Sequence, residues 1–539
     1  MSQQDAPACE ASSSQGAADS SSSTPDESTA ALGARLLRTC VLLQQEVCHF
    51  TGDLTIRNAH YTPLEKWLRH LRKEYEFTER LRDEARQIEA ILKEREDLEA
   101  ADREKKIRLQ LSASNIPGYV AKWDLVKKCS GLVGFHSTMQ MVPPGSNGKR
   151  YPKRDKCHAN DVFIDAIVDD GAEWLRVLGV TETRLVYQMT ESGWDFGEET
   201  VHDDDSSDDD DDDEISGDEC MPIVQTTMNL ILAARANRFE YAYPRVHLVL
   251  PRITEGRNAD IDVLLARLRR MGLCYGVDLV LDTASSPFVT STPPSITTIW
   301  DDSYAHMLPQ KYRGLSATVN LDSSILIGLA SDISHGHVST DPARHSTQNA
   351  EIDKENADPG GFLHLLYPVL AGRELVCTRE AAQTFRKLTR TMATPTELAR
   401  GGLLLPPEEC TVRPEEFLPH FRVTSEYPVP DDLKLPVRIA GANWGTAEVE
   451  QCVAEGALPR VAVPVLRELS EPSSSVFAYG WASGLTTITS NRTASNTIKR
   501  LVERNRTDEY EKGPKVWVCS IARSLKCTPK DKDTSAGVA

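Results

Sequence analysis

No two of the twelve cysteines stand at CxxC spacing. That excludes a zinc ribbon, and their scatter from Cys9 to Cys527 gives no framework for a disulfide-stapled mini-fold. A reducing compartment is expected. Long apolar runs are missing too: no stretch approaches the roughly 18 residues that a membrane helix needs. The opening MSQQDAPACE has no basic segment followed by an apolar one. The expectation is an intracellular chain, cytoplasmic or nuclear or both, with no membrane partner. Positive charge is also short, with 61 Lys and Arg against 80 Asp and Glu and a net charge of −19. Twelve of the acids lie between Asp203 and Glu219, and without them the balance is about −7. Such a body lacks the concentrated positive face that broad capture of nucleic acid needs. No Gly-x-Ser-x-Gly elbow, P-loop or Gly-x-Gly-x-x-Gly follows a strand, so hydrolase, NTPase and dinucleotide readings have no support and no small-molecule cofactor is expected.

What is present is ordinary globular composition, with 40 % hydrophobic residues over 539 positions, enough for two to four domains at about 100–200 residues each. Residues 1–33 are rich in Ser, Ala, Gln and Asp and are expected to be disordered, as is the tail 531–539. Leu36, Leu37, Val41, Leu42, Leu43 and Val47 then recur at helical spacing. Thr62-Pro63-Leu64-Glu65 supplies an N-cap, a first-turn proline and a capping-box Glu. The apolar set from Leu64 through Trp67, Leu71, Leu81 and Ile88 to Leu98 predicts a second helix of about 35 residues. The two form a helical hairpin whose charged face either lies in solvent or joins an intermolecular coiled coil.

Val162–Val168, the turn Asp169-Asp170-Gly171, and Trp174–Val177 read as strand, turn and strand, with Arg184–Tyr187 as a further strand. Val246–Leu250, the amphipathic Ile261–Met271, and Val277–Leu281 form a β-α-β series. These place an α/β domain over 34–282, interrupted by a disordered acidic insertion over 199–220. Residues 283–312 read as a linker. A second α/β domain over 313–530 opens with the strand Thr318–Asp322. It continues through the strand Leu375–Cys377, the helix Arg379–Met392, a strand over Val476–Tyr479, the helix Thr493–Glu503 and a strand over Val516–Cys519. Polar insertions are expected at 338–361 and 425–448.

Few residues carry chemistry. Asp322 stands where an apolar strand ends, the place where open α/β sheets gather functional side chains, and a carboxylate there suits magnesium or manganese; it equally suits the N-cap of the next helix. Glu380 sits in the first turn of its helix, where the dipole alone favours an acid. The run Lys149, Arg150, Lys153, Arg154 and Lys156 could touch phosphates or an import receptor. Ser206, Ser207 and Ser216 precede acids as an acidophilic kinase requires. His335-Gly336-His337 and Cys157-His158 are the tight His or Cys groupings, and neither has a second pair to complete a zinc site.

Four segments carry a resemblance: VNLDSSILIGLASDISHG, LVCTREAAQTFRKL, SSVFAYGWASGLTTITSN and, in the first half, FIDAIVDDGAEWLRVLG. They resemble the eukaryotic domain-of-unknown-function family 1308, which has no established biochemistry, over 313–530 and over 34–282. The C-terminal part is in turn similar to the PIN nuclease fold, an α/β sheet on which three or four acids hold divalent metal for phosphodiester hydrolysis. The resemblance implies Asp322 at the first acidic position and Glu380 at the helical one. It departs where relatives read Gly-Thr-Gly-Asp: aligned through Val476–Tyr479, this chain reads Ala478-Tyr479-Gly480-Trp481, an indole in place of a carboxylate. No acid at 457–461 fills the remaining position. Two carboxylates hold a hard divalent ion weakly and lack the paired-ion clamp. What is implied is a catalytically degenerate PIN-like domain that binds RNA or a protein partner and holds no metal. The alternatives are a magnesium- or manganese-dependent ribonuclease completed by other acids, and a structural scaffold whose cleft Trp481 fills.

Overall fold

A computed structural model describes residues 27–56, 64–141, 161–194, 221–297, 302–310, 312, 314–342, 344–407, 410, 412–441 and 444–527. The chain is mixed α/β, and its described residues divide into two units: those up to 230 together with 246–309, and those of 231–245 together with 310–527.

The first unit opens with four helices, α1 (Thr29–Ile56), α2 (Glu65–Glu94), α3 (Leu98–Ser112) and α4 (Ile116–Val126). Helix starts earlier than composition suggested. Thr29 and Ala30 are buried and tied down, the Thr29 hydroxyl donating to Glu104 Oε1 at 2.9 Å and the Ala30 amide to Glu89 Oε1 at 2.8 Å. Thr62 and Pro63 lie outside the described residues, and α2 begins on Leu64 without a side-chain cap. The expected long helix is α2, which stops at Glu94, short of Leu98, where α3 begins. Arg95 turns extended, and Asp97 caps α3 by accepting from the Ala100 amide at 3.1 Å; a side chain that can bond the next turn's amides ends one helix and starts another.

Behind the helices lies a sheet in chain order: β1 (Gly134–Gln140), β2 (Asp161–Val168), β3 (Glu173–Val177), β4 (Arg245–Leu250) and β5 (Leu279–Thr283). The pairs β1–β2 and β2–β3 are antiparallel and β4–β5 is parallel. Arg184–Tyr187 is helical, within α5 (Glu182–Glu191). Thr181 caps it, and Leu185 and Met189, four apart, are its buried face. The helix α6 (Pro222–Ala236) precedes β4, and α7 (Ala259–Cys274) stands over the expected amphipathic stretch. The linker reading fails: 283–309 holds the short α8 (Pro287–Thr290), and Ile296, Tyr304, Met307 and Leu308 are buried in the same core as the front helices. There Phe50 meets the Tyr304 ring at 5.9 Å and Trp67 meets Phe135 at 4.6 Å.

The second unit is built on a fully parallel sheet. Its strands are β6 (Thr318–Leu321), β7 (Glu374–Cys377), β8 (Arg438–Ile439), β9 (Thr486–Thr489) and β10 (Val516–Val518), in spatial order β8-β7-β6-β9-β10. This is the third-second-first-fourth-fifth order of a doubly wound sheet, with its switch point between β6 and β9. Between β6 and β7 run α9 (Ser323–Ala330), α10 (Asp332–His335), α11 (Ser346–Ala357) and α12 (Gly361–Leu370). Between β7 and β8 run α13 (Arg379–Met392), α14 (Pro395–Leu404) and α15 (Phe417–Val423). Next come α16 (Thr446–Ala454), α17 (Ala462–Arg467) and α18 (Ser473–Ala482) before β9, and α19 (Arg492–Asn505) before β10.

Two large apolar clusters and a small one of Ile333, Val338 and Ile352 result. Val319, Leu326, Phe362, Leu366 and Phe385 belong to one large cluster, and Val461, Val465, Phe477, Ile498 and Leu501 to the other. Each fully buried side chain of this size contributes about 1.5–3 kcal/mol. Val476–Tyr479 is helical, within α18, although its residues favour strand: Val476 and Ala478 are buried, and Gly480 brings the helix against β9. The polar stretch 338–361 contains α11 rather than a plain loop. Among the described residues no helix is long and apolar enough to cross a membrane.

Candidate functional site

The carboxyl ends of β6, β7 and β9 lie on one edge of the second sheet, and ligands of doubly wound folds bind at such an edge beside the switch point. Asp322 follows β6 there and is 5 % exposed. Its amide donates to Ile488 O at 3.0 Å, fixing it against the end of β9. It occupies the N-cap position of α9, yet its side chain makes no capping bond. Three hydroxyls hold the carboxylate instead. Thr489 donates to Oδ2 at 2.6 Å, Ser324 to Oδ2 at 2.7 Å and Ser323 to Oδ1 at 3.2 Å. The same hydroxyls accept in turn, Thr489 Oγ1 from the Asn491 amide at 2.9 Å and Ser324 Oγ from the Ser490 amide at 3.1 Å. The network is a closed set of charge-assisted bonds.

Glu380 follows β7 on the same edge, in the first turn of α13. Thr378 caps that helix by accepting from the Ala381 amide at 3.2 Å. One carboxylate oxygen of Glu380, Oε2, is shut from solvent and accepts no hydrogen bond. Asp322 and Glu380 thus both stand at the carboxyl edge of the sheet. The third position needs correction. Trp481 is no strand-end residue; it stands near the end of α18, partly buried in the apolar cluster of α16 to α19. On the side away from β7, β6 pairs with β9, which ends in Thr489 and leads into Ser490-Asn491. Asn491 caps α19, its Oδ1 accepting from the Ala494 amide at 3.0 Å.

Neutral hydroxyls donate twice to Asp322 Oδ2 and once to Oδ1, and among the described residues no group of three or more His, Cys, Asp or Glu is disposed to hold a metal. His335 is buried, its Nε2 donating to Leu329 O at 2.8 Å, and burial followed by the Arg400 charge pushes its pKa down to about 3. His337 is exposed and lends that histidine no ligand pair. Lys149, Arg150, Lys153, Arg154, Lys156, Cys157 and His158, and the serines Ser206, Ser207 and Ser216, lie outside the described residues.

Sequence reasoning missed a second polar constellation, in the first unit. His247 on β4 is buried, with Nδ1 at 2.9 Å from Glu173 Oε1 and Nε2 at 2.7 Å from Asp282 Oδ2. The Phe288 ring lies 4.6 Å away. Burial opposes the charged imidazole, but the hydrogen bonds it donates to Glu173 and Asp282 outweigh that and raise the pKa. The signal was faint, since the three residues stand on three strands and share no spacing.

Compared with protein-family models, with curated proteins and with solved structures, the chain gives no match.

Proposed function

We propose that the second unit is a PIN-like domain whose acidic centre has lost its catalytic capacity and which serves as a binding module for RNA or a protein partner. The observation that carries the reading is the state of Asp322. A carboxylate that accepts from Ser323, Ser324 and Thr489 is engaged as a structural anion joining β6 to β9. The doubly wound order and the position of both acids on its carboxyl edge support the kinship. Our reading matches the Gly-Thr-Gly-Asp of the PIN relatives to the end of β9, at Ile488-Thr489-Ser490-Asn491, in place of Ala478–Trp481, which is helical. An amide that caps a helix then stands where they keep an acid. Hydrolysis of a phosphodiester by a metal pair needs a clamp on both the attacking and the leaving oxygen, and these side chains do not supply it.

A ribonuclease is the second reading, favoured by the unpartnered Oε2 of Glu380. Incubating the full chain with single-stranded RNA and manganese separates the two. Intact RNA is expected, and cleavage that disappears in Asp322→Asn would overturn the degenerate site.

A further inference from the structure

Beyond β10 the chain runs without regular secondary structure over 519–527, yet its backbone is held atom by atom. Ser331 Oγ donates to Ser524 O at 2.6 Å. Gln348 Nε2 donates to Leu525 O at 2.7 Å and to Lys526 O at 3.1 Å. Glu351 Oε2 accepts from the Ser524 amide at 3.0 Å and its hydroxyl at 2.8 Å, and Glu397 Oε1 accepts from the Lys526 amide at 2.6 Å. Alternate side chains enter the protein. Arg523 is buried, with Nε donating to Glu355 Oε2 at 3.0 Å and the guanidinium 6.0 Å from the Phe362 ring, and Leu525 is 3 % exposed. Ser524 and Lys526 stay half-exposed.

The helix that does most of this is oddly made for a packed helix. In α11, Gln348, Glu351 and Glu355 are spaced three and four apart, so they share one face. Its buried residues are Ile352 and Glu355. An amphipathic helix ordinarily docks through several apolar side chains; α11 docks through an acidic, hydrogen-bonding face whose counterpart is a basic extended segment. Glu355 Oε1 is buried with no partner, an acceptor left over after Arg523 is bound. Main-chain hydrogen bonds with pockets for alternate side chains are how grooves read extended peptides.

We propose that α11, Ser331 and Glu397 form a peptide-binding groove for an extended segment of Arg-x-Leu pattern from another protein, which the chain's own residues 523–526 hold closed. The groove has a charged pocket at Glu355 for the arginine, an apolar pocket for the residue two positions on, and backbone recognition between them. This is independent of the PIN-like reading, since none of these groups belongs to the Asp322 site. The tethered segment competes at an effective concentration of order millimolar, so a free peptide binds weakly until the strap is released.

The test uses the full chain and a fluorescent peptide with the sequence of residues 519–527. Arg523→Glu sets two carboxylates against each other and releases the strap, seen as lost hydrogen-exchange protection at the Ser524 and Lys526 amides. Peptide affinity should then rise about tenfold or more, and the same peptide with its arginine changed to glutamate should not bind. Ser524→Asp, which places a charge beside Glu351 on a half-exposed side chain, is the milder second variant and should act in the same direction. Released amides with no gain in peptide affinity in either variant would overturn the groove, as would amides that stay protected in both. The wild-type chain should stay monomeric over the titration range; a dimer dissolved by the peptide would overturn the assignment of the ligand to another protein.

Discussion

Single buried side chains set the pH behaviour of each unit. His247 is held between Glu173 and Asp282, so its folded pKa lies above the ordinary value of about 6.5. Its contribution is fully present below that value and is lost as pH rises through the folded pKa. The ring resonances of His247 should titrate with a midpoint above about 6.5, and β4 amides should exchange faster on the alkaline side; in His247→Gln that alkaline step should vanish. His335 has the opposite sign, with a folded pKa of about 3. Below about pH 6.5 the unfolded chain takes a proton that the folded ring refuses, so its unit loses stability as pH falls. Asp322 belongs to the same scale. Asp322→Asn leaves Ser323, Ser324 and Thr489 without their anionic acceptor and should lower stability by about 1.5–3 kcal/mol, the range for hydrogen bonds to charged groups. Denaturant unfolding of the full chain, followed at the Thr489 to Asn491 amides by hydrogen exchange, reads this.

At the scale of elements, local signals and tertiary burial divided the work. The apolar periods of α1, α7 and α13 and the apolar run of β2 are written in short stretches, and those elements stand where the pattern puts them. Val476–Tyr479 is different: a β-favouring run became the middle of α18 because helix packing on the sheet buries Val476, Phe477 and Ala478 together. That slip of element set Trp481 at a strand end, whereas it stands near the end of α18. Gly480 makes the packing close, since a Cβ there would fall inside contact distance of Thr487 Oγ1. Gly480→Ala should therefore destabilise the second unit by about 1–3 kcal/mol, and Thr487→Ala in the same chain should recover part of it, a positive coupling in a double-mutant cycle. Simple additivity would show that α18 does not depend on this approach. The helix α11 escaped notice for another reason: its partner, residues 523–526, lies far along the chain, and no pattern of period 3.6 marks a helix whose buried face is polar.

For the whole molecule, composition and order carried the α/β class, two sheet-bearing halves and the acids at the ends of β6 and β7. They did not carry what those acids bond to, because hydroxyl donors such as Ser324 and Thr489 are common residues whose role appears only when strands pair. The packing of 283–309 was hidden likewise, its few apolar residues being spread through Ser, Thr and Pro. In the proposed reading, the carboxyl edge of the second sheet keeps the place of an acidic centre without its capacity for metal. Manganese titrated calorimetrically into the full chain measures this most directly. No binding tighter than roughly millimolar is predicted for the wild-type chain, as expected where few charged ligands converge, with a measurable gain in Asn491→Asp. Micromolar manganese binding by the wild-type chain that is abolished in Asp322→Asn would contradict the account.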